Sequence, residues 1–284
     1  MKTPMKQHVM KISFARGAGT HAARMLRVFL ATSLLAVTFQ AQRALAAGVT
    51  LQQGLNDYTS TADAWLDETS SQKEDNNGGD TKLRIQYNGG LSDSTLIRFQ
   101  LPSLSFQSVS AATLSLYLYD TYSMVSGNAL ELKPYRMVPG KSWDENIYTG
   151  QSGVGVNWKR RNAANTLDWT GQNGGWNDKA DDGNGTRKIK PVGGTVPDAV
   201  APANWVDWAV QPTVAQWYTG NENNGFGLFM NALQGSGTIA AGLFYSRNNS
   251  DAHRPALAIT YQGAVINWAG ELRGARGGWR VGGR

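Results

Sequence analysis

Apolar and polar residues alternate along two neighbouring stretches of the chain, residues 95–101 and 114–120. In the first stretch Ile97 and Phe99 flank Arg98, and in the second leucines alternate with serine and tyrosine. A period of two is typical of strands with one buried and one solvated face. Two such strands need a second apolar layer to cover them, so the pattern predicts a β-sandwich.

Short apolar or alternating runs recur along the chain, separated by Gly, Asn, Asp and Ser. They are residues 49–52, 64–66, 82–87, 129–133, 204–210, 225–230, 243–245 and 256–261. Residues 139–203 lack such a pattern and predict long loops, whereas Val210, Val214 and Trp217 have the spacing of one helical turn. Because no βα unit repeats, we expect an all-β, jelly-roll-like antiparallel β-sandwich with long loops, a single domain over residues 47–262.

The first 46 residues have the features of a signal peptide. They contain seven Lys or Arg, no acid, an apolar run at 28–39 and Ala44-Leu45-Ala46 at the end. The apolar run is shorter than the roughly 20 residues that span a bilayer. We therefore expect a secreted protein with no membrane span after cleavage; an uncleaved membrane anchor is the alternative. The Gly/Arg-rich residues 263–284 predict a disordered tail.

Charge and composition exclude several classes of function. The leader holds seven of the 27 basic residues and the tail holds four, with one acid, which leaves 16 basic and 20 acidic residues between them. A folded part with net negative charge argues against a nucleic-acid partner. The chain has no cysteine, which excludes disulfides and thiol chemistry. Only His253 lies outside the leader, so histidine-based catalytic triads and multi-histidine metal sites are not expected.

Several motifs, in order, carry a resemblance to a known family. They are residues 96–102 (LIRFQLP), 109–117 (VSAATLSLY), 143–145 (WDE), 157–161 (NWKRR), 169–170 (WT), 174–175 (GG), 205–210 (WVDWAV), 214–217 (VAQW), 224–227 (NGFG) and 254–261 (RPALAITY). Together they resemble the DNRLRE domain family, which is related to carbohydrate-binding module family 96. The resemblance implies a non-catalytic jelly-roll module of exported proteins, which in some members binds anionic polysaccharide such as alginate.

The outward residues of the alternating strands form a candidate carbohydrate-binding set. It consists of Lys82, Arg84, Arg98, Tyr117, Tyr119, Lys133 and Tyr135. Cations bind carboxylates and aromatic faces stack on sugar rings, so the mixture suits an acidic glycan. The alternatives are an ordinary solvated sheet face, or an Arg98 that is ion-paired between layers.

Tryptophan is frequent, and its positions suggest two different roles. Trp208 and Trp217 follow the core periodicity and are expected to pack inside. Trp143, Trp158, Trp169 and Trp176 lie in the long loops. There they either fill the interior of ordered loops, which is the favoured interpretation, or form an exposed wall that stacks on glycan.

Two Asp/Asn-rich segments, residues 75–80 and 178–184, concentrate the oxygen ligands that calcium prefers. In the first segment Asp75, Asn77 and Asp80 would bind a structural calcium ion, and Asp57 and Asp63 could complete the site. Asn-Gly and Asp-Gly pairs also form turns, and this is the alternative.

Three functions compete on the sequence alone. The first is an exported, non-catalytic carbohydrate-binding module whose partner is a polysaccharide. The second is a structural, matrix or cell-surface sandwich without a glycan site. The third is a polysaccharide lyase that uses Tyr with Arg or Lys in place of His.

Overall fold

The computed structural model describes residues 47–69, 71–103, 108–250 and 252–262. The predicted signal peptide and tail lie outside the described residues. Within the described part of the chain, none of the helices has the length and apolar character needed to cross a membrane.

The described residues form an all-β structure with one α-helix and one 3-10 turn. The strands of the first half are β1 (Ala47–Gln52), β2 (Thr61–Leu66), β3 (Asp75–Asn76), β4 (Lys82–Asn88), β5 (Leu91–Phe99), β6 (Ser108–Tyr122) and β7 (Ala129–Met137). Short strands follow in the loop-rich region: β8 (Gln151–Ser152), β9 (Arg160–Asn162), β10 (Leu167–Asp168), β11 (Lys179–Ala180), β12 (Arg187–Ile189) and β13 (Ala199–Val200). The last strands are β14 (Asn204–Ala209), β15 (Phe226–Gln234), β16 (Ile239–Tyr245) and β17 (Ala256–Gln262), with helix α1 at Gln211–Tyr218.

The larger strands form two layers of one curled sheet. The first layer has the order β1-β17-β6-β16-β4, and β14 also pairs with β6. The second layer has the order β2-β5-β15-β7-β12-β13, with β11 also on β7. The β4–β5 hairpin joins the layers. The predicted β-sandwich is confirmed.

The main core lies between the two layers and contains the predicted inward residues. Ile97 and Phe99 of β5 and Leu114 and Leu116 of β6 are fully buried in it. Trp208 is also fully buried there and Trp217 nearly so, as their periodicity predicts. Each such side chain stabilises the fold by about 1.5–3 kcal/mol of burial free energy.

A second hydrophobic cluster, the loop core, covers the outer face of the second layer. Trp143, Trp158 and Trp169 from the long loops are buried in it against Leu66 and Leu96. Gly174 permits this packing, because a Cβ at this position, whose φ is +63°, would approach the Trp158 ring to 2.5 Å. The favoured interpretation of the loop tryptophans is confirmed for these three, whereas Trp176 is 44% exposed.

Candidate functional site

The seven residues of the predicted carbohydrate-binding set lie at four separate places. Arg84 and Arg98 make contacts within the protein, at two different positions. Lys82, Tyr117 and Tyr119 share the outer face of the first layer, and Lys133 and Tyr135 lie on the second layer. The set therefore does not form one continuous surface.

Arg84 is the centre of an internal ion-pair cluster. Its guanidinium lies 2.6 Å from a carboxylate oxygen of Asp67 and 2.6 Å from one of Asp93, and both acids are buried. The guanidinium carbon also lies 3.9 Å from the ring centre of Trp65. Because a cation shared by two buried carboxylates offsets their desolvation, the main role of Arg84 is structural.

Arg98 lies beneath Trp143 of the loop core. Its Nη1 donates a hydrogen bond to the Trp143 carbonyl oxygen at 3.2 Å, and its guanidinium lies 4.9 Å from the Trp143 ring centre. Burial lowers the Arg98 pKa, and the nearby charges of Glu145, Asp144 and Glu222 act in the opposite direction. Arg98 therefore holds the loop core to β5.

The outer face of the first layer, called the open face below, carries a row of stacked tyrosines. Tyr245 of β16 lies between Tyr119 and Tyr117 of β6, with ring centres 4.7 and 5.7 Å apart and planes within 10° and 7° of parallel. Lys82 is the cross-strand partner of Tyr245. Because these rings stack on one another, much of their faces is occupied within the protein.

Trp205 lies at the end of this row and differs from the tyrosines in its geometry. It is directly opposite Tyr117 in the β14–β6 register, and the two rings meet edge to face, with centres 5.5 Å apart and planes at 78°. Trp205 is 36% exposed. Burial and the charges of Asp80 and Asp120 raise the pKa of Tyr119 to about 12, so its hydroxyl stays protonated at neutral pH.

Lys133 and Tyr135 belong to a second group, the lysine patch, at the margin of the loop core. Its other members are Trp176, Lys179 and Phe229. Trp176 packs edge to face on Phe229, with ring centres 5.4 Å apart, and Tyr135 packs on the same Phe229 at 6.0 Å. Lys133 forms an ion pair with Asp181 at 2.6 Å.

Lys179 has an unusual environment in this patch. Its Nζ lies 3.8 Å from the Trp176 ring centre and 4.4 Å from that of Tyr135. Within the described residues its ammonium has neither a hydrogen-bond acceptor nor an ion-pair partner. Burial lowers the Lys179 pKa, Asp181 raises it and Lys133 lowers it further. Aromatic faces thus hold a cation whose donors are not used by protein oxygens.

The predicted calcium ligands are not brought together as a metal site. Within the described residues, no three His, Cys, Asp or Glu side chains are placed to bind a metal ion. Asp57 lies in an exposed turn, and Asp75 pairs with Ser152 in the β3–β8 ladder. Asn77 donates its side-chain amide to the Trp65 carbonyl at 3.3 Å, and Asp80 accepts the Trp65 indole N–H at 3.1 Å.

Asp63, the fifth predicted calcium ligand, has internal partners instead. It accepts hydrogen bonds from the Ser246 hydroxyl at 2.9 Å and the Arg247 backbone N–H at 2.7 Å. Burial raises its pKa to about 7, and the charge of Glu145 also raises it, whereas its two hydrogen bonds and the charge of Arg247 lower it. Glu145 in turn accepts hydrogen bonds from the Asp63 backbone N–H and from the Arg247 guanidinium.

The carboxylates of the second Asp-rich segment are each paired with a cation. Asp178 pairs with Lys141 at 3.1 Å, Asp181 with Lys133 and Asp182 with Arg136 at 2.8 Å. Asp182 also accepts a hydrogen bond from the Thr213 hydroxyl at 2.8 Å. This segment ties the loops to β7 and α1, which is a structural role.

The residues predicted from the sequence do not include Trp205 and Asp207 on the open face or Lys179 in the lysine patch. Trp205 and Asp207 alternate with the buried Val206 and Trp208, so their outward direction could have been predicted. Lys179 gave no such signal, because β11 is only two residues long.

Within the described residues, the all-β sandwich exposes Trp176 and Trp205 beside polar side chains that have no hydrogen-bond partner. The model of Carbohydrate-binding module family 96 matches residues 55–153. The match confirms the predicted relation to carbohydrate-binding module family 96, supports a carbohydrate-binding module in general and suggests a non-catalytic domain. No curated protein matches the chain.

Proposed function

We propose that the protein is an exported, non-catalytic carbohydrate-binding module that binds an acidic polysaccharide, such as alginate, at the lysine patch. The observation that carries the proposal is the position of Lys179, whose ammonium lies on the Trp176 and Tyr135 rings without an oxygen partner among the described residues.

A carboxylated sugar matches the chemistry of this patch. The Lys179 ammonium has three N–H donors, and a carboxylate is the strongest acceptor that a sugar offers it. Trp176 is 44% exposed beside it, so its ring has surface on which the apolar C–H face of a sugar would stack. One uronate residue would thus satisfy the cation and cover the indole at the same time.

The surrounding charges limit the range of this attraction. Asp181 neutralises Lys133, and the folded part of the chain is acidic overall. Screening over about 8–10 Å at physiological ionic strength leaves the Lys179 charge effective only at contact. Binding is therefore expected to be modest in affinity and to weaken as salt rises.

The direct test is titration calorimetry with alginate hexasaccharides on Lys179→Gln and Trp176→Ala. Each substitution is expected to weaken binding by about tenfold, because each removes one of two contacts in a small site. Lys82→Gln is the matched control, since it removes an exposed cation from the other layer. Thermal melting of each variant checks that it is folded.

Two results would contradict the proposal. Alginate could bind equally well to wild type and Lys179→Gln, or Lys82→Gln could lose binding while Lys179→Gln keeps it. The second result would move the acidic-glycan site to the open face.

The two alternative functions give different results in the same samples. A structural sandwich without a glycan site would bind none of the oligosaccharides. A lyase would release unsaturated products from alginate, which would appear as increasing ultraviolet absorbance during incubation.

A further inference from the structure

A groove on the open face lies beside Trp205, well away from the residues of the lysine patch in the fold. Its volume is about 360 Å³, and its walls are formed by Gln52, Ser115, Trp205, Asp207, Ala252 and Ala256. The predicted carbohydrate-binding set includes none of these residues.

The strand register explains why a groove forms at this position. Asp207 of β14 is opposite Ser115 of β6, Ser115 is opposite Ala256 of β17, and Ala256 is opposite Gln52 of β1. These four residues therefore lie in one row across four strands, a span of roughly 14 Å at the usual strand spacing. The two small central residues form a depression, and Trp205 is two positions before Asp207 on the same side of β14.

Two polar side chains of the groove remain fully available for hydrogen bonding. Within the described residues, the Asp207 carboxylate and the Ser115 hydroxyl have no hydrogen-bond or ion-pair partner. The Gln52 amide nitrogen donates to the carbonyls of Ala252 and Arg254, at 3.0 and 2.7 Å, which fixes the side chain. The Trp205 ring contacts Tyr117 edge to face and His253 with ring centres 5.7 Å apart, but the residue is 36% exposed, so part of its ring surface remains free beside these groups.

We propose that the Trp205 groove is a second glycan site, which binds an uncharged sugar residue. Among the residues that the structure describes, no Lys or Arg lines the groove, and the Asp207 carboxylate would repel a uronate or sulfate group. A neutral sugar instead offers hydroxyl donors to the carboxylate and a C–H face to the indole. The inference is independent of the lysine patch, since the two sites share no residue.

Titration with cellohexaose, xylohexaose and mannohexaose tests the inference. At least one of these neutral hexasaccharides should bind wild type. Trp205→Ala should weaken that binding by about tenfold, as loss of a central aromatic contact does. Ala256→Leu should have a similar effect because it fills the groove without touching the main core. Tyr122→Ala, which removes another exposed aromatic residue of the same layer, should leave binding unchanged.

Salt and competition separate this site from the lysine patch. Neutral-sugar binding should change less than about twofold between 0.05 and 0.5 M salt, because no ion pair forms. Excess alginate hexasaccharide should not displace the neutral ligand from wild type. The inference is overturned if none of the three neutral probes binds, or if binding survives both Trp205→Ala and Ala256→Leu in folded protein. Failure of the lysine patch would appear only in the alginate titration.

Discussion

The outer faces of the two layers are formed by strands with the same alternation of apolar and polar residues, but the two faces have different environments. On the second layer, Trp143, Trp158 and Trp169 cover the strands with the loop core, and Arg98 is enclosed beneath them. On the first layer, tyrosines stack on one another and Trp205 retains exposed surface. The comparison shows that outward direction on a strand does not by itself make a residue available to a ligand, because a loop of the same chain can occupy that face.

The largest expected difference in unfolding free energy is between tryptophan-to-alanine substitutions on the outer faces of the two layers. Trp169→Ala removes a fully buried indole whose Nε1–H donates to the Asn157 carbonyl at 3.0 Å. It should lower the free energy of unfolding by about 3–5 kcal/mol, whereas Trp205→Ala on the open face should cost less than about 1 kcal/mol. Chemical denaturation measures both, and equal costs would show that the loop core does not contribute to stability as the packing indicates.

A second pair of variants compares two cations of one strand. Arg84→Ala leaves Asp67 and Asp93 buried without their shared cation, so we expect a loss of about 3 kcal/mol in unfolding free energy. Lys82→Ala, two positions earlier and exposed, should cost less than about 0.5 kcal/mol. If Arg84→Ala were as stable as Lys82→Ala, the ion-pair cluster would not be the structural element that the distances indicate.

The third prediction concerns pH and the buried Asp63. Its pKa is raised by burial to about 7 in the folded protein, from about 3.9 in the unfolded chain. The folded state therefore binds more protons than the unfolded state between these values, and this group's contribution to stability falls as pH rises from about 4 to about 7. Asp63→Asn should flatten that part of the pH–stability curve, while the exposed Asp207→Asn should not. An unchanged curve in Asp63→Asn would mean that Asp63 ionises normally in the fold.

The sequence predicted the sandwich well because its evidence is local. Ile97, Phe99, Leu114 and Leu116 have a two-residue period, and burying that face is the dominant favourable term in folding. Trp208 was placed in the core for the same reason.

The candidate sites were less predictable because they depend on distant segments. Arg84 and Arg98 have the same outward pattern as Lys82, yet their partners Asp67, Asp93 and Trp143 come from other elements. Lys179 reaches Tyr135 only because β11 pairs with the end of β7. The periodicity of the sequence does not indicate such a pairing between distant segments.

The central claim, that an acidic glycan binds at the lysine patch, is tested most directly by the indole N–H signals in a ¹⁵N-correlated nuclear magnetic resonance spectrum. Addition of alginate hexasaccharide should shift the Trp176 signal in a saturable manner. This signal is assigned by its loss in Trp176→Phe. The Trp169, Trp205 and Trp208 signals should stay in place, and added salt should reverse the Trp176 shift. A saturable shift at Trp205 with none at Trp176, or no indole shift although alginate binds, would contradict the account.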